Sequence, residues 1–335
     1  MKIAITGGAG FVGSHLAKAY LDAGHDVLVI DSLAHGSRQH VDARARFYRL
    51  DIRDPKVQEV LQLERPDVVS HHAAQLAATF PETSLLADAD VQLRGLMNVL
   101  EGCVSASVTK LIYASNGSTL YKPMPVAEAI KHKIHIVKED TPPFPQRPND
   151  ISKLAGEWYV RYYSQQYRLE HTILRYAHIF GESNSDLAQH PVTYFVGMLS
   201  QGQRPIIRGS ACDVRDHIYI DDVTRANLCI LERGHNCTVH ISTGKGHTLD
   251  QVFDVVASQF SSALLPVHLA SAHAEPTALV LDNTLAQQQL GWQPQVTFIE
   301  GVRRAVASLR GQKVYVLQEE IPEPARVLDA VLVHS

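Results

Sequence analysis

Apolar and polar positions alternate in short blocks over the first 180 or so residues of this 335-residue chain. Compact apolar runs at 2–6, 26–31, 47–52, 67–73, 110–115 and 171–177 predict strands. Between them, at 11–23, 54–64, 84–105 and 150–168, the apolar spacing is that of helices with one buried face. Such alternation predicts a parallel sheet with helices on both faces and ligands at the carboxyl ends of its strands. Beyond 180 the pattern turns irregular. Strands are expected at 204–208 and 215–220, and helices at 222–233, 248–259 and 298–310. The expected division is a nucleotide-binding domain over 1–180 and a smaller mixed α/β lobe over 181–310, with some chain crossing between them. A tail follows at 311–335, with a strand-like run at 313–317 and no readable role. Pro142, Pro143, Pro145 and Pro148 mark a long loop before the 150–168 helix. The preceding segment, 123–138, reads as an insertion over the site whose charges belong to a solvated loop.

The junction of the first strand and first helix carries the strongest chemistry. Ile3-Ala4-Ile5-Thr6 runs into Gly7-Gly8-Ala9-Gly10-Phe11-Val12-Gly13. Gly7, Gly10 and Gly13 are spaced three apart, and Gly8 to Gly13 also satisfies G-x-G-x-x-G. Glycine opens dihedrals closed to other residues and lets backbone approach a pyrophosphate, which then faces the positive end of the helix. The second strand ends at Asp31, eighteen residues past Gly13. An acid there accepts hydrogen bonds from both ribose hydroxyls of NAD and repels the extra phosphate of NADP; Ser32, not an arginine, follows it. The expected cofactor is NAD.

Composition narrows the class. Hydrophobic residues make up 45% and charged residues 20%, ordinary for a globular protein, and the net charge of −4 offers no footprint for nucleic acid. No apolar run reaches the roughly 18 residues of a membrane span. The first strand starts after Met1 and Lys2, which leaves no room for a signal peptide, so a cytoplasmic protein is expected. Cys103, Cys212, Cys229 and Cys237 lack metal or redox spacing and read as reduced thiols. The eighteen histidines show no H-E-x-x-H pattern, and no metal site is expected.

Further motifs bring a resemblance. Asp51-Ile52, His71-His72-Ala73-Ala74-Gln75, Asn98-Val99-Leu100-Glu101, Ser115-Asn116-Gly117-Ser118-Thr119-Leu120-Tyr121, Arg175-Tyr176-Ala177-His178-Ile179-Phe180-Gly181, Arg215-Asp216-His217-Ile218-Tyr219 and Leu290-Gly291-Trp292 stand in order along the chain. Over about residues 1–310 they resemble the extended short-chain dehydrogenase/reductase family, in its branch of nucleotide-sugar epimerases and dehydratases. The resemblance implies a Rossmann-type doubly wound sheet with a C-terminal substrate lobe. It implies NAD held by Gly7, Gly10, Phe11, Val12, Gly13, Asp31, Ser32, Asp51, Ile52, Ala73, Ala74, Gln75, Ser115, Lys153 and Tyr176. It also implies a nucleotide-sugar ligand on Arg215 and a homodimer through the 84–105 and 150–168 helices, with Leu93, Leu96, Leu100, Trp158 and Tyr162 as candidate contacts.

The family's chemistry uses Tyr-x-x-x-Lys on one helix face, with the lysine lowering the tyrosine pKa. Ser152-Lys153 fits, but Asn149 occupies the tyrosine position. An amide cannot act as a general base. Thr119, or Ser118 in its place, matches the accompanying hydroxyl. His178 replaces an asparagine, and reads as a satisfied pocket histidine in preference to a proton carrier. Gln92 replaces another asparagine, and the second phosphate-binding arginine is absent, with Ala272 and His273 near its place. Tyr121 is the closest phenol in sequence and reads as structural. Two functions follow: an NAD-dependent enzyme on a nucleotide-sugar with a rearranged acid/base set, or a redox-silent NAD binder. Retention of Thr119, Lys153 and Arg215 favours the enzyme.

Overall fold

Seven parallel strands form the main sheet of the computed structural model, which describes residues 1–75, 85–131, 136–182, 190–260, 264–269 and 275–309. Their spatial order is Cys237–Ile241, Glu170–Tyr176, Lys110–Asn116, Val68–His71, Lys2–Thr6, Asp26–Asp31 and Arg46–Arg49. Every neighbouring pair is parallel. The strand alternation of period two sends Ile3 and Ile5 into one helix layer and Ala4 into the other, so one short run feeds two separate cores. The chain order reverses beside Lys2–Thr6, between its neighbours Asp26–Asp31 and Val68–His71. A crevice therefore opens outside the carboxyl ends of these strands.

The described helices cover the predicted ones with shifted ends. Phe11–Asp22 follows the glycine turn, and Lys56–Glu64 follows the third strand. The predicted 84–105 helix is α-helical at Leu85–Ala89 and Leu96–Ser105, with a π-helical turn at Asp90–Gly95 that turns Gln92 inward. The helix predicted at 150–168 runs Pro148–Tyr167, because Pro148 sits in its first turn, where a missing N–H costs nothing. The third strand is Arg46–Arg49, shorter than 47–52, so Asp51 and Ile52 leave the sheet and enter the crevice rim.

The main sheet takes Cys237–Ile241 from well beyond residue 180. A smaller sheet orders Gly246–Thr248, Val214–Tyr219, Thr277–Leu281 and Met124–Pro125. Expectation fails at 123–138, whose described residues are not a solvated insertion over the site. Met124–Pro125 pairs antiparallel with Thr277 and Ala278, and Ile136–Val137 pairs parallel with Val280 and Leu281. The helix Val126–Lys131 joins that framework, while His132 to His135 lie outside the described residues. The sequence pattern also missed the helix Pro191–Ser200 and the strands His178–Phe180 and Cys237–Ile241. Ala272, His273 and the 311–335 tail lie outside the described residues.

Among the described residues, no helix is long and apolar enough to cross a membrane.

Candidate functional site

A cleft of about 540 Å³ opens where the sheet order reverses. Its floor is the glycine turn. Gly7 adopts φ +74°, and a Cβ there would lie 2.5 Å from the Ala73 nitrogen; a Cβ on Gly13 would lie 2.2 Å from the Gly7 oxygen. Only glycine permits this approach of strand, turn and helix. Gly8 instead packs against the Val29 side chain, so Gly7, Gly10 and Gly13 form the working triplet. Gly10 caps the Phe11–Asp22 helix without a side chain, which leaves first-turn N–H groups to face an anion.

Asp31 stands at one end of the cleft. Its Oδ2 accepts the Ala9 N–H at 3.0 Å and its Oδ1 accepts the Leu33 N–H at 2.8 Å. Each oxygen keeps a further lone pair for a ribose hydroxyl. Arg53 lines the same end, held by Asp51 at 2.7 Å and Asp90 at 2.8 Å. All fifteen residues expected to hold the cofactor line this one cleft, from Gly7 and Asp31 through Ala73, Ala74 and Gln75 to Ser115, Lys153 and Tyr176. A glycine cradle closed to any Cβ and a carboxylate with free lone pairs fit a dinucleotide, which when bound supplies hydride acceptance and return.

The other end carries the altered chemistry. Lys153, 6% exposed, donates from Nζ to the Ala114 carbonyl at 2.8 Å and lies over the Tyr113 ring. Burial pulls its pKa down to about 8, against the opposing pull of Asp88 and Glu157. Asn149 lines the cleft, its Nδ2 donating to the Gln75 carbonyl at 3.3 Å and to Asp88 at 3.4 Å. Ser152 completes that tie, donating to Asp88 at 2.7 Å. Ser115 donates to Glu157 at 2.6 Å, and Arg175 grips the same carboxylate through two nitrogens. That buried pair fixes the end of the central strand where Ser115 meets the cleft.

Ser118 also lines the cleft, but Thr119 does not. Thr119 donates its hydroxyl to Asp150 at 2.5 Å, behind the wall. Sequence reasoning missed Asp150, a buried carboxylate in the first turn of the Pro148–Tyr167 helix and next to Asn149. Its place beside the substituted position was the available signal.

His178 is in the cleft wall, with Nε2 buried and without a hydrogen-bond partner among the described residues. His190, also unforeseen, lines the wall and caps Pro191–Ser200. Its Nδ1 accepts the Val192 N–H, so its proton is on Nε2, which donates to His217 Nδ1 at 3.1 Å. Burial holds His178 at a pKa of about 4 and His190 at about 3, so both are neutral at pH 7. Arg215 does not reach the cleft wall. It ties Val214–Tyr219 to Thr277, donating to the Thr277 carbonyl at 2.9 Å and hydroxyl at 3.0 Å.

Residues 3–242 match the model of the NAD dependent epimerase/dehydratase family. The chain belongs to that family. Its cofactor is NAD. Among solved structures, UDP-glucose 4-epimerase of Thermotoga maritima with UDP-glucose superimposes with a TM-score of 0.84 at 32% identity, over 92% of this chain and 99% of that one. The Thermus thermophilus UDP-glucose 4-epimerase complex with NAD gives 0.82 at 32% identity, over 93% and 100%. UDP-glucose 4-epimerase of Mycolicibacterium smegmatis is 28% identical over 319 residues, 93% of this chain and 99% of its own. The chain thus covers 99–100% of the length of these three relatives.

Proposed function

We propose that this family member is an enzyme that acts on a nucleotide-sugar by transient hydride transfer to bound NAD, with an acid/base set that lacks the usual phenol. The observation that carries the reading is Lys153, buried in the cleft beside Ser118 and Asn149 while the whole cofactor lining is kept. A UDP-hexose is the first ligand to try, since its relatives are UDP-glucose 4-epimerases. The test is incubation with UDP-glucose, UDP-galactose and their N-acetyl forms, following both epimer formation and reduction of the bound cofactor. Either signal supports the enzyme.

Asn149 favours one second reading, a redox-silent NAD-binding protein with a sensing or partner-binding role. Tight NAD binding with no conversion of any nucleotide-sugar gives that reading the lead.

We infer a homodimer through the outer stripe of the Pro148–Tyr167 helix. Trp158 is 65% exposed and Tyr162 54%, and Ile151 lies on the same face two turns earlier. Leu96 and Leu100 do not supply it, because both are fully buried in the core between the sheet and its helices. Four unpaired cysteines suit a reducing compartment, which supports the cytoplasm as the working place.

A further inference from the structure

A second cavity, of about 260 Å³, lies beside the strand Val214–Tyr219, and no residue lines both it and the cleft. One hydrogen bond connects the two. His190 lines the cleft, His217 lines the second cavity, and their imidazoles meet at 3.1 Å. The backbone sets the direction of that bond. The Val192 N–H occupies His190 Nδ1, so the His190 proton sits on Nε2 and is donated to His217 Nδ1. Burial, with the neighbouring imidazoles, holds the His217 pKa well below its ordinary value, so the ring is neutral and its own proton sits on Nε2. His217 is 4% exposed. Its Nε2–H has no hydrogen-bond partner among the described residues, yet the atom is not sealed in the core. On a ring whose Nδ1 edge meets the cleft wall, Nε2 faces the other way, into the second cavity. A donor on a buried ring with no protein partner calls for one from outside.

The other walls indicate which ligand that is. The helix Phe298–Leu309 begins at this cavity. The N–H groups of Phe298 and Ile299, in its first turn, make no hydrogen bond among the described residues, and the positive end of the helix favours an anion before them. Lys245 adds an exposed ammonium. Among the described residues, no carboxylate lines the cavity. The two acids behind its walls are occupied: Asp216 accepts from Thr243 and the Gly244 N–H, and Asp222 from the Gln295 and Val296 N–H groups and Arg225. Much of the remaining lining is apolar. The His247 ring stacks on Phe298 with centroids 4.2 Å apart, beside Pro294 and Val296. N–H donors and an ammonium next to a flat apolar wall suit a small ligand with an oxyanion and a compact apolar body. With about half the volume of the cleft, the cavity is too small for a dinucleotide.

We propose that this second cavity binds a small organic anion. Its carboxylate or phosphate oxygens accept from His217 Nε2–H and from the N–H groups of Phe298 and Ile299, and its apolar body lies against the His247–Phe298 stack. The occupant stands two imidazoles from the cleft, and its binding does not depend on turnover of a nucleotide-sugar.

Calorimetric titration of the full chain saturated with NAD tests this in low-salt buffer, with benzoate and phenyl phosphate as probes and benzamide as the neutral control. At least one anion should bind saturably, and benzamide should not. Tighter benzoate assigns a carboxylate, tighter phenyl phosphate a phosphate ester. Lys245→Met alters only the second cavity and should weaken the anion by about threefold or more. His217→Asn keeps an acceptor where Nδ1 meets His190 and removes the donor facing the cavity. It should weaken the anion by about tenfold or more, the worth of a hydrogen bond to a charged group. NAD affinity should stay unchanged in both variants. If His217→Asn loses NAD together with the anion, its fold has failed and Lys245→Met alone decides. No saturable binding of either anion to the wild type overturns the proposal. So does benzamide binding as tight as the anions, or undiminished anion binding in any variant that keeps its NAD affinity.

Discussion

The Asp31 carboxylate accepts the Ala9 backbone N–H at 3.0 Å, so the acid ending the second strand and the tip of the glycine turn form one unit. The residue expected to meet the ribose therefore also holds the loop expected to meet the pyrophosphate. Asp31→Ala should weaken NAD by about 1.5–3 kcal/mol through lost bonds to a charged acceptor. It should also reduce the preference over NADP, because the charge that repels the added phosphate is gone. Calorimetric titration of both nucleotides checks this, and unchanged NAD affinity would remove Asp31 from the ribose site.

Lys153 gives a pH dependence with a definite sign. The folded chain releases this proton at about 8 and the unfolded chain at the ordinary 10.5. Across that window the unfolded state binds more protons, so stability rises with pH and levels off above 10.5. That difference corresponds to about 3 kcal/mol, carried as a penalty below pH 8. Lys153→Met should flatten that rise. Urea unfolding of both forms at pH 7.5 and 10, without added nucleotide, reads it out, and parallel pH dependences would contradict a buried ammonium.

Much of the fold was legible because the main strands are short apolar runs separated by helices of clear period. Asp31 and the glycine triplet were legible because their spacing is set by backbone contacts that tolerate few alternatives. The 123–138 segment misled because its strands are only two residues long, Met124–Pro125 and Ile136–Val137, too short for alternation to register beside lysines and histidines. Leu96 and Leu100 looked available for an interface because the sequence of a helix with two apolar faces does not say which one meets the sheet. Asp150 escaped because an acid in a helix first turn is ordinary; only burial and the unmet Oδ2 set it apart.

Trp158 tests the oligomer. Its ring is 65% exposed and carries the Arg161 guanidinium at 5.2 Å, so a charge placed there disturbs no core. Trp158→Glu should leave the thermal midpoint of the monomer fold intact and shift sedimentation from dimer to monomer at micromolar concentration. A wild type that already sediments as a monomer removes the dimer, and a dimer in both forms moves the interface elsewhere.

Position 149 decides how the chemistry is done. Among the described residues the Asn149 amide makes two long bonds, 3.3 Å to Gln75 and 3.4 Å to Asp88, and the shorter Ser152–Asp88 bond holds the same helix without it. Replacing it therefore costs the framework little. Asn149→Tyr places a phenol one helical turn before Lys153, whose nearby charge lowers a phenol pKa. Turnover on UDP-hexoses should rise, by up to the general-base contribution of about 10²-fold. The rise should come in kcat, with KM little changed, since the phenol acts on the proton in flight. A brisk wild type that Asn149→Tyr slows would mean that the site already runs well without a phenol there. The acceptor would then be sought at His178, which lines the cleft.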